Sequence, residues 1–566
     1  MTLLMITPVL VHVLAACGYA VFGWRPATAW LGAVASAGTL ASAIGIAEAT
    51  TGQARTALGG LLRADALSAF MLIVIGAVAL LAMLASPAHL AAEPATGSTA
   101  GPATRPAAGP ESVLATRRRG AADIGRSVAP AVLPGIPMAP GREARTVTGQ
   151  AFGLVTLERD GLVTLERDGA GARWGAARRY GVLTQAFVAA MALAVLAASL
   201  GVLWVAVEAT TILTAFLVGH RRTRQAVEAA WKYVVICSVG IALALLGIVL
   251  THYAAVHARI PSAGVLDWAV LTRAADGLDP GVMRIAVALL VLGFGTKAGL
   301  APMHAWLPDA HGQAPAPVSA LMSGVLLSVA FYAVLRVKVI ADVALGIGFT
   351  RTLLITAALA SLAVAAALLL AQRDYKRMLA YSSIEHMGLV ALGAAVGSRP
   401  AMVAVLLHVL GHGLGKSVLF LSAGHVHQAF RSSKIAAVDG LAARNPLLAG
   451  VFGLGLLALL GLPPFSLFAS ELGIVRAGFA SGLGWAVAAS LPLTVVIGAA
   501  VLSAARRMLL GAPVAAEPPP PAPHRLGPAA AVPLVAGLLG CAVLGLTTGP
   551  LGPLLEAAAT MAGATP

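Results

Sequence analysis

Seven ionisable side chains occupy apolar surroundings in this sequence. Glu208 lies in LGVLWVAVEATTILTAFL, Lys232 in AAWKYVVIC, Lys297 in LLVLGFGTKAGLAPMHAWL and Glu471 in GLPPFSLFASELGIV. The other three, His408, His412 and Lys416, are spaced by four residues in HVLGHGLGKS, with MVAVLLHVL before it and SVLFLSAG after it. Steps of four turn a helix by about 400°, so these three side chains share one stripe and stack about 6 Å apart. Histidine titrates near neutral pH, and lysine gives up its proton more readily when denied water. A row of this kind, with one or two waters in each gap, can pass protons and store one on the lysine. Charged groups at membrane depth are costly and mark ion or proton pathways.

Other chemistries fit less well. GHGLGKS resembles a phosphate-binding loop, but that motif needs four residues between its first glycine and the Gly-Lys pair, and Gly411 to Gly415 leaves three. It should also follow a buried strand, whereas its flanks here are apolar stretches of helix length. Two histidines at i and i+4 can bind zinc. No third ligand is evident, though, and a cationic lysine one turn on is a poor neighbour, so no metal site is expected. Each charge also has a plainer reading. Lys232 is near enough to a helix end to snorkel to the surface. Lys297 and Glu471 could sit at helix ends close to water, and a lone buried histidine often serves as a structural donor.

The composition sets the elements that must position these groups. Of the 566 residues, 59% are hydrophobic and 11% charged, against about a quarter charged in a soluble domain. Apolar runs of 18 residues or more recur along the chain, which predicts an all-α polytopic membrane protein. Fourteen spans are expected, near 3–22, 28–47, 65–86, 181–199, 200–218, 228–251, 282–301, 316–338, 352–371, 379–397, 401–424, 447–466, 483–505 and 529–548. Three glycines and Pro302 around Lys297, and the prolines before Glu471, predict interrupted helices, whose freed backbone groups line ion sites in membranes. The first apolar stretch lacks a basic leader and a clear cleavage site, so it reads as a retained span. Cys17, Cys237 and Cys541 lie far apart inside apolar runs, which suggests neither disulfide nor cluster.

Charge in the loops predicts orientation. Arg25; Arg221, Arg222 and Arg224; Arg373, Lys376 and Arg377; Arg431, Lys434 and Arg444; and Arg506, Arg507 and Arg525 cluster on one side. Single arginines (55, 63, 259, 273, 284, 351 and 399) fall on the other. The clustered side is expected to be cytoplasmic, with both termini outside. The net charge of +15 therefore speaks to orientation rather than to nucleic acid. Residues 87–180 are rich in Ala, Pro and Gly, carry the triplet Arg117–Arg119, and end in a tandem LVTLERDG at 154–161 and 162–169. They read as a low-complexity, disordered cytoplasmic insert. EPPPPAP at 517–523 lies in a proline-rich linker, taken as 506–528, before the last span and tail at 529–566.

Three long blocks carry a family resemblance: GFGTKAGLAPMHAWLPDAHGQAPAPVSALMSG (293–324), DYKRMLAYSSIEHMGLVALG (374–393) and HVLGHGLGKSVLFLSAG (408–424). In order and spacing they resemble the antiporter-like, proton-translocating subunits shared by respiratory complex I, Mrp-type antiporters and membrane-bound nickel–iron hydrogenases. LWVAVEATT (203–211), AAWKYVVICSVG (229–240) and SSIEHMG (382–388) are most similar to the hydrogenase-4 type membrane subunit.

The resemblance implies two inverted five-helix repeats, here 181–338 and 352–505, after N-terminal spans in 1–86. It pairs Glu208 with Lys297 on a first broken helix and assigns His408, His412 and Lys416 to a second. Glu471 becomes the terminal charged group on the next broken helix. Lys232, His304, Asp309, His311, Asp374, Lys376, Glu385 and His386 are taken as supporting residues. Where many relatives place a lysine or histidine, this chain has Ser323 and Ser328, so the link from Lys297 to Lys416 would run through water and hydroxyls, or through His304 and His311. The implied function is proton translocation in the prokaryotic inner membrane, driven by an attached redox enzyme. Its partners would be other antiporter-like and small membrane subunits, and a soluble arm of the nickel–iron hydrogenase type. Nickel–iron, iron–sulfur or flavin groups would reside in those partners, with no cofactor bound by this chain. An Mrp-type cation/proton antiporter, or an ion-coupled partner in inorganic-carbon uptake, is the alternative.

Overall fold

In a computed structural model, describing residues 1–50, 52–92, 161–511 and 526–565, nearly every element is a helix. Three helices come first: α1 (Thr2–Phe22), α2 (Leu31–Thr50) and α3 (Ala66–Ala92). Between α2 and α3 lies an antiparallel hairpin, β1 (Arg55–Ala57) and β2 (Leu62–Ala64), with Arg55 opposite Ala64. Next are α4 (Gly161–Leu196), α5 (Leu200–Val218), α6 (Arg224–His257), the short α7 (Trp268–Arg273) and α8 (Pro280–Ala298). Ser199, Thr223, Asp267 and Asp279 each accept a backbone N–H at the start of α5, α6, α7 and α8. Such caps satisfy donors that the helix itself leaves unpaired.

The second part of the chain begins with α9 (Trp306–Gln313) and α10 (Ala316–Leu321). A π-helical turn, Met322–Leu326, joins α10 to α11 (Leu327–Leu345). Then come α12 (Ile347–Leu370), α13 (Tyr375–Val396), α14 (Arg399–Phe430), α15 (Leu441–Arg444), α16 (Pro446–Leu459), α17 (Ser466–Ala480), α18 (Gly484–Leu510), α19 (Pro528–Leu546) and α20 (Gly552–Met561).

Among the described residues, twelve helices are long and apolar enough to cross a membrane, and they coincide with twelve of the fourteen expected spans. The expected span at 529–548 is the first arm of a pair, α19 and α20, bent by 65°. The expected span at 447–466 is α16, only 14 residues long, which breaks at Leu460–Phe465 and continues as α17. Burial separates two kinds of span. The apolar cores of Ala316–Leu345 and α13 are wholly buried, whereas most of α1 and α18 faces outward with apolar side chains, as lipid-facing helices must. The insert expected over 87–180 lies mostly outside the described residues; at its edges α3 continues to Ala92 and α4 begins at Gly161. EPPPPAP also lies outside them.

Two breaks shape the interior. After α8 the chain turns through Gly299 at φ +80°, a left-handed conformation that costs glycine little. Trp306 Nε1 then donates to Thr296 O at 2.9 Å, and Ala301 N donates to Ser361 Oγ at 2.9 Å. Backbone groups freed by the break thus find partners inside the protein. After α16, Gly461 at φ +60° makes the corresponding turn.

Candidate functional site

The glycines of GHGLGKS serve helix packing. Residues 411–417 lie in the middle of α14, a continuous helix with no loop to cradle a phosphate. A Cβ on Gly413 would stand 2.9 Å from Gly324 O, because α14 meets the π turn backbone to backbone. This stretch of α14 is buried all round, and the histidines and Lys416 sit on a stripe beside Gly413. Continuity also corrects one implication of the resemblance: the helix bearing His408, His412 and Lys416 is unbroken, and the second break falls between α16 and α17.

On that buried face, Lys416 Nζ donates to Leu379 O at 2.7 Å and to Ser382 Oγ, both on α13. His408 and His412 stack with ring centroids 6.4 Å apart, close to the separation the spacing predicts. His386, from α13, lies between them. Its ring centroid is 5.1 Å from that of His408 and 5.2 Å from that of His412, and its Nδ1 is 3.1 Å from His408 Nε2. Beyond His408, its Nδ1 meets Ser470 Oγ at 3.0 Å, and His386 Nδ1 lies 3.9 Å from Glu471 Oε1. The order is therefore Lys416, His412, His386, His408, and then Ser470 and Glu471 on α17. The first four are at most 1% exposed, while the Glu471 side chain is 22% exposed. His386 Nε2 and His412 Nε2 have no hydrogen-bond partner although buried. Buried polar atoms are ordinarily satisfied, often by an internal water.

At the first break the expected contact is replaced by another. Lys297 is buried, donates to Thr211 Oγ1 at 2.8 Å and to the Tyr233 hydroxyl, and forms no ion pair with Glu208. Glu208 precedes Thr211 by three residues, so the two share a face of α5, and Glu208 Oε2 is buried without a hydrogen-bond partner. The anticipated pair is thus neighbouring but indirect. Tyr233 turns inward to Lys297, while the adjacent Lys232 turns out. Lys232 is 47% exposed and pairs with Glu228 at 2.8 Å and Asp309 at 3.2 Å. Asp309 also pairs with Arg377 at 3.2 Å. Lys232 and Asp309 therefore fit the snorkelling interpretation and stand apart from the buried row.

The remaining supporting residues divide similarly. His311 is fully buried, has no partner on either ring nitrogen, and stacks on Phe420 of α14 at 5.0 Å. Phe420 follows Lys416 by one turn, so His311 flanks the lysine end of the row. His304 lies in the break after α8, and its Nδ1 is buried without a partner. Ser323, in the π turn, meets Ser383 Oγ at 2.8 Å, next to the Ser382 that holds Lys416; Ser328 Oγ is buried without a partner. Glu385 is 7% exposed beside His386. Asp374 caps α13 by accepting from Arg377 N at 3.0 Å and receives the Ser433 hydroxyl, which makes it a structural anchor; Lys376 is buried at the same end.

Sequence reasoning missed a second pair of buried charges. Arg336 Nη2 bonds Asp65 Oδ1 at 2.7 Å and Ser68 Oγ at 3.1 Å, with its guanidinium 3.9 Å from the Trp268 ring centroid. Lys338 pairs with Asp342 at 2.6 Å. The signal was LRVK inside an apolar run. The i, i+4 pair gains no third donor, but a different set comes together without His412: donor atoms of His386, His408 and Glu471 all lie within 4.8 Å of one another.

A family model described as "NADH:quinone oxidoreductase/Mrp antiporter, TM" matches residues 197–498. The chain belongs to this family. The match runs from the start of α5 into α18 and contains Glu208, Lys297, His408, His412, Lys416 and Glu471. The chain is similar to a hydrogenase-4 component F homolog of Methylacidiphilum infernorum (isolate V4), 39% identical over 325 residues, 57% of this chain and 68% of that one. It is 36% identical over 260 residues to NADH-quinone oxidoreductase subunit N of Desulforudis audaxviator (strain MP104C), 45% of this chain and 50% of that relative. Its fold is shared with a chain of the Mrp complex from Dietzia sp. DQ12-45-1b (TM-score 0.75, 19% identity, 100% of this chain and 98% of that chain). It is also shared with a chain of an archaeal membrane-bound sulfane sulfur reductase (TM-score 0.74, 22% identity, 99% and 97%). This member of the antiporter-like family is a multi-pass membrane protein.

Proposed function

We propose that this chain is the proton-translocating membrane subunit of a redox-driven complex of the hydrogenase-4 or NADH:quinone oxidoreductase kind. The observation that carries the proposal is the buried sequence Lys416, His412, His386, His408 and Glu471, which crosses three helices in the apolar interior. Each member can hold and release a proton. The His386–His408 contact is within direct hydrogen-bond reach, and the other gaps are of a size that water bridges. Protons enter at Lys297, cross to Lys416 by way of the Ser323–Ser383 hydroxyls and water, run along the histidines and leave through Glu471. Glu208, acting through Thr211 and Tyr233, biases the Lys297 proton.

The relationship to the hydrogenase-4 component F homolog supports this branch of the family. In this reading, 181–338 and 352–505 are the two half-channels, and the arginine-rich loops face the cytoplasm in a prokaryotic inner membrane, with both termini outside. The partners are other antiporter-like and small membrane subunits, and the redox groups belong to a soluble arm of the nickel–iron hydrogenase type. The test is purification from native membranes in mild detergent, followed by nickel, iron and flavin analysis and by redox-driven proton uptake in proteoliposomes. Nickel and iron with proton uptake are expected. Isolation with hydrophobic subunits alone, and cation-dependent proton exchange without any redox substrate, would overturn the redox-driven reading.

A further inference from the structure

We infer that His386, His408 and Glu471 form a zinc-binding site at the partly exposed end of the buried row. His386 Nδ1 and His408 Nε2 are 3.1 Å apart, and Glu471 Oε1 is 3.9 Å from His386 Nδ1. Tetrahedral zinc with bonds of about 2.0–2.1 Å holds its donors about 3.3 Å apart, so the two nitrogens already stand at ligand separation. All three donor atoms lie within 4.8 Å of one another, so a side-chain rotation that carries the carboxylate inward by about 1–1.5 Å brings it to ligand separation from both nitrogens. Two imidazoles and one carboxylate are a zinc donor set that leaves a fourth position for water.

The surroundings fix His408 from outside and leave room for Glu471. Ser470 Oγ lies 3.0 Å from His408 Nδ1, on the ring edge opposite the donor nitrogen. A hydrogen bond there places the His408 proton on Nδ1 and leaves Nε2 free to ligate, the outer contact that metal-binding histidines ordinarily have. With metal bound on Nδ1, His386 carries its proton on Nε2. Glu471 lies against Gly461, where any added Cβ would collide with its carboxylate. Gly461 thus keeps room for the acid inside the α16–α17 break. Glu471 is 22% exposed while both histidines are buried, so the carboxylate is the outermost of the three donors. Once bound, zinc occupies the atoms that join the histidines to Glu471, and proton passage stops. The site stands on its own geometry; only the blocking effect rests on the proposed function.

The experiment uses the full-length chain in detergent with Zn²⁺ alone as probe, in competition with a chromophoric chelator, and X-ray absorption at the zinc edge. One zinc per chain is expected, with two imidazole nitrogens and one carboxylate oxygen at about 2.0–2.1 Å. Glu471→Gln and His386→Gln should each lower affinity at least 100-fold, and the positioning variant Ser470→Ala about 10–100-fold. Absence of stoichiometric binding, or a zinc shell without two imidazoles, overturns the site; the absorption measurement needs only the unaltered chain, so a misfolded variant cannot obscure it. In proteoliposomes, saturating zinc should abolish proton movement, and the block should weaken in parallel with affinity in Ser470→Ala. Stoichiometric binding at these residues with undiminished proton flux overturns the block and counts against the histidine route. Normal flux with no zinc bound overturns the metal site and leaves the proposed function standing.

Discussion

His386 makes the row continuous, and replacing it by residues of different volume separates its chemistry from its packing. Without it, His408 and His412 remain with ring centroids 6.4 Å apart, beyond direct hydrogen-bond reach. His386→Ala removes roughly 60 Å³ of side chain, the share of about two waters at ~30 Å³ each, beside polar atoms able to hold them. His386→Phe fills the same space with a ring that neither donates nor accepts. A positioned proton-transfer group contributes about 10²–10⁴-fold to the step it serves. Redox-driven proton uptake should therefore fall by about 100-fold or more in His386→Phe. His386→Ala should fall less, by about 10-fold, because water rebuilds part of the path. The assay is quenching of a pH-sensitive dye in inverted vesicles, normalised to assembled complex. Wild-type uptake in His386→Phe, or equal losses in both variants, would refute the reasoning.

The other outcomes follow from burial. Asp65→Asn leaves the buried Arg336 guanidinium without its counter-charge, a loss of about 3–5 kcal/mol; the melting temperature of the purified chain should fall clearly, while an unchanged value would refute the role of that pair. Gly413→Leu must displace the π turn, since its Cβ alone would reach 2.9 Å from Gly324 O. Overpacking of this kind costs about 1–3 kcal/mol, so a reduced folded yield in detergent chromatography is expected. Lys232→Ala removes two surface ion pairs outside the row, which contribute little, and should leave both proton uptake and melting unchanged; loss of uptake would place Lys232 in the path after all.

The helix face of the row was legible because a spacing of four is a property of one helix, and the 6.4 Å between His408 and His412 follows from it. The place of His386 was not, since it depends on how α13 packs against α14, which a single sequence does not encode in any periodic form. Glu208 and Lys297 were recognised as neighbours, but Thr211, on the next turn of α5, receives the lysine instead. That distinction is finer than helical spacing resolves. Arg336 and Lys338 escaped notice because the expected span ended at 338, which put them at a water boundary, whereas α11 continues to Leu345. The two breaks were foreseen from glycine and proline. The glycines of α14 have a different use, because a helix packed backbone to backbone also requires residues without side chains.

Lys416→Ala, assayed for redox-driven proton uptake in proteoliposomes with membrane insertion and assembly verified, tests the central claim most directly. Lys416 is the fully buried lysine at the inner end of the row, held by Leu379 O and Ser382 Oγ. The account predicts intact assembly and no proton uptake. Uptake at wild-type stoichiometry in the assembled variant would contradict it.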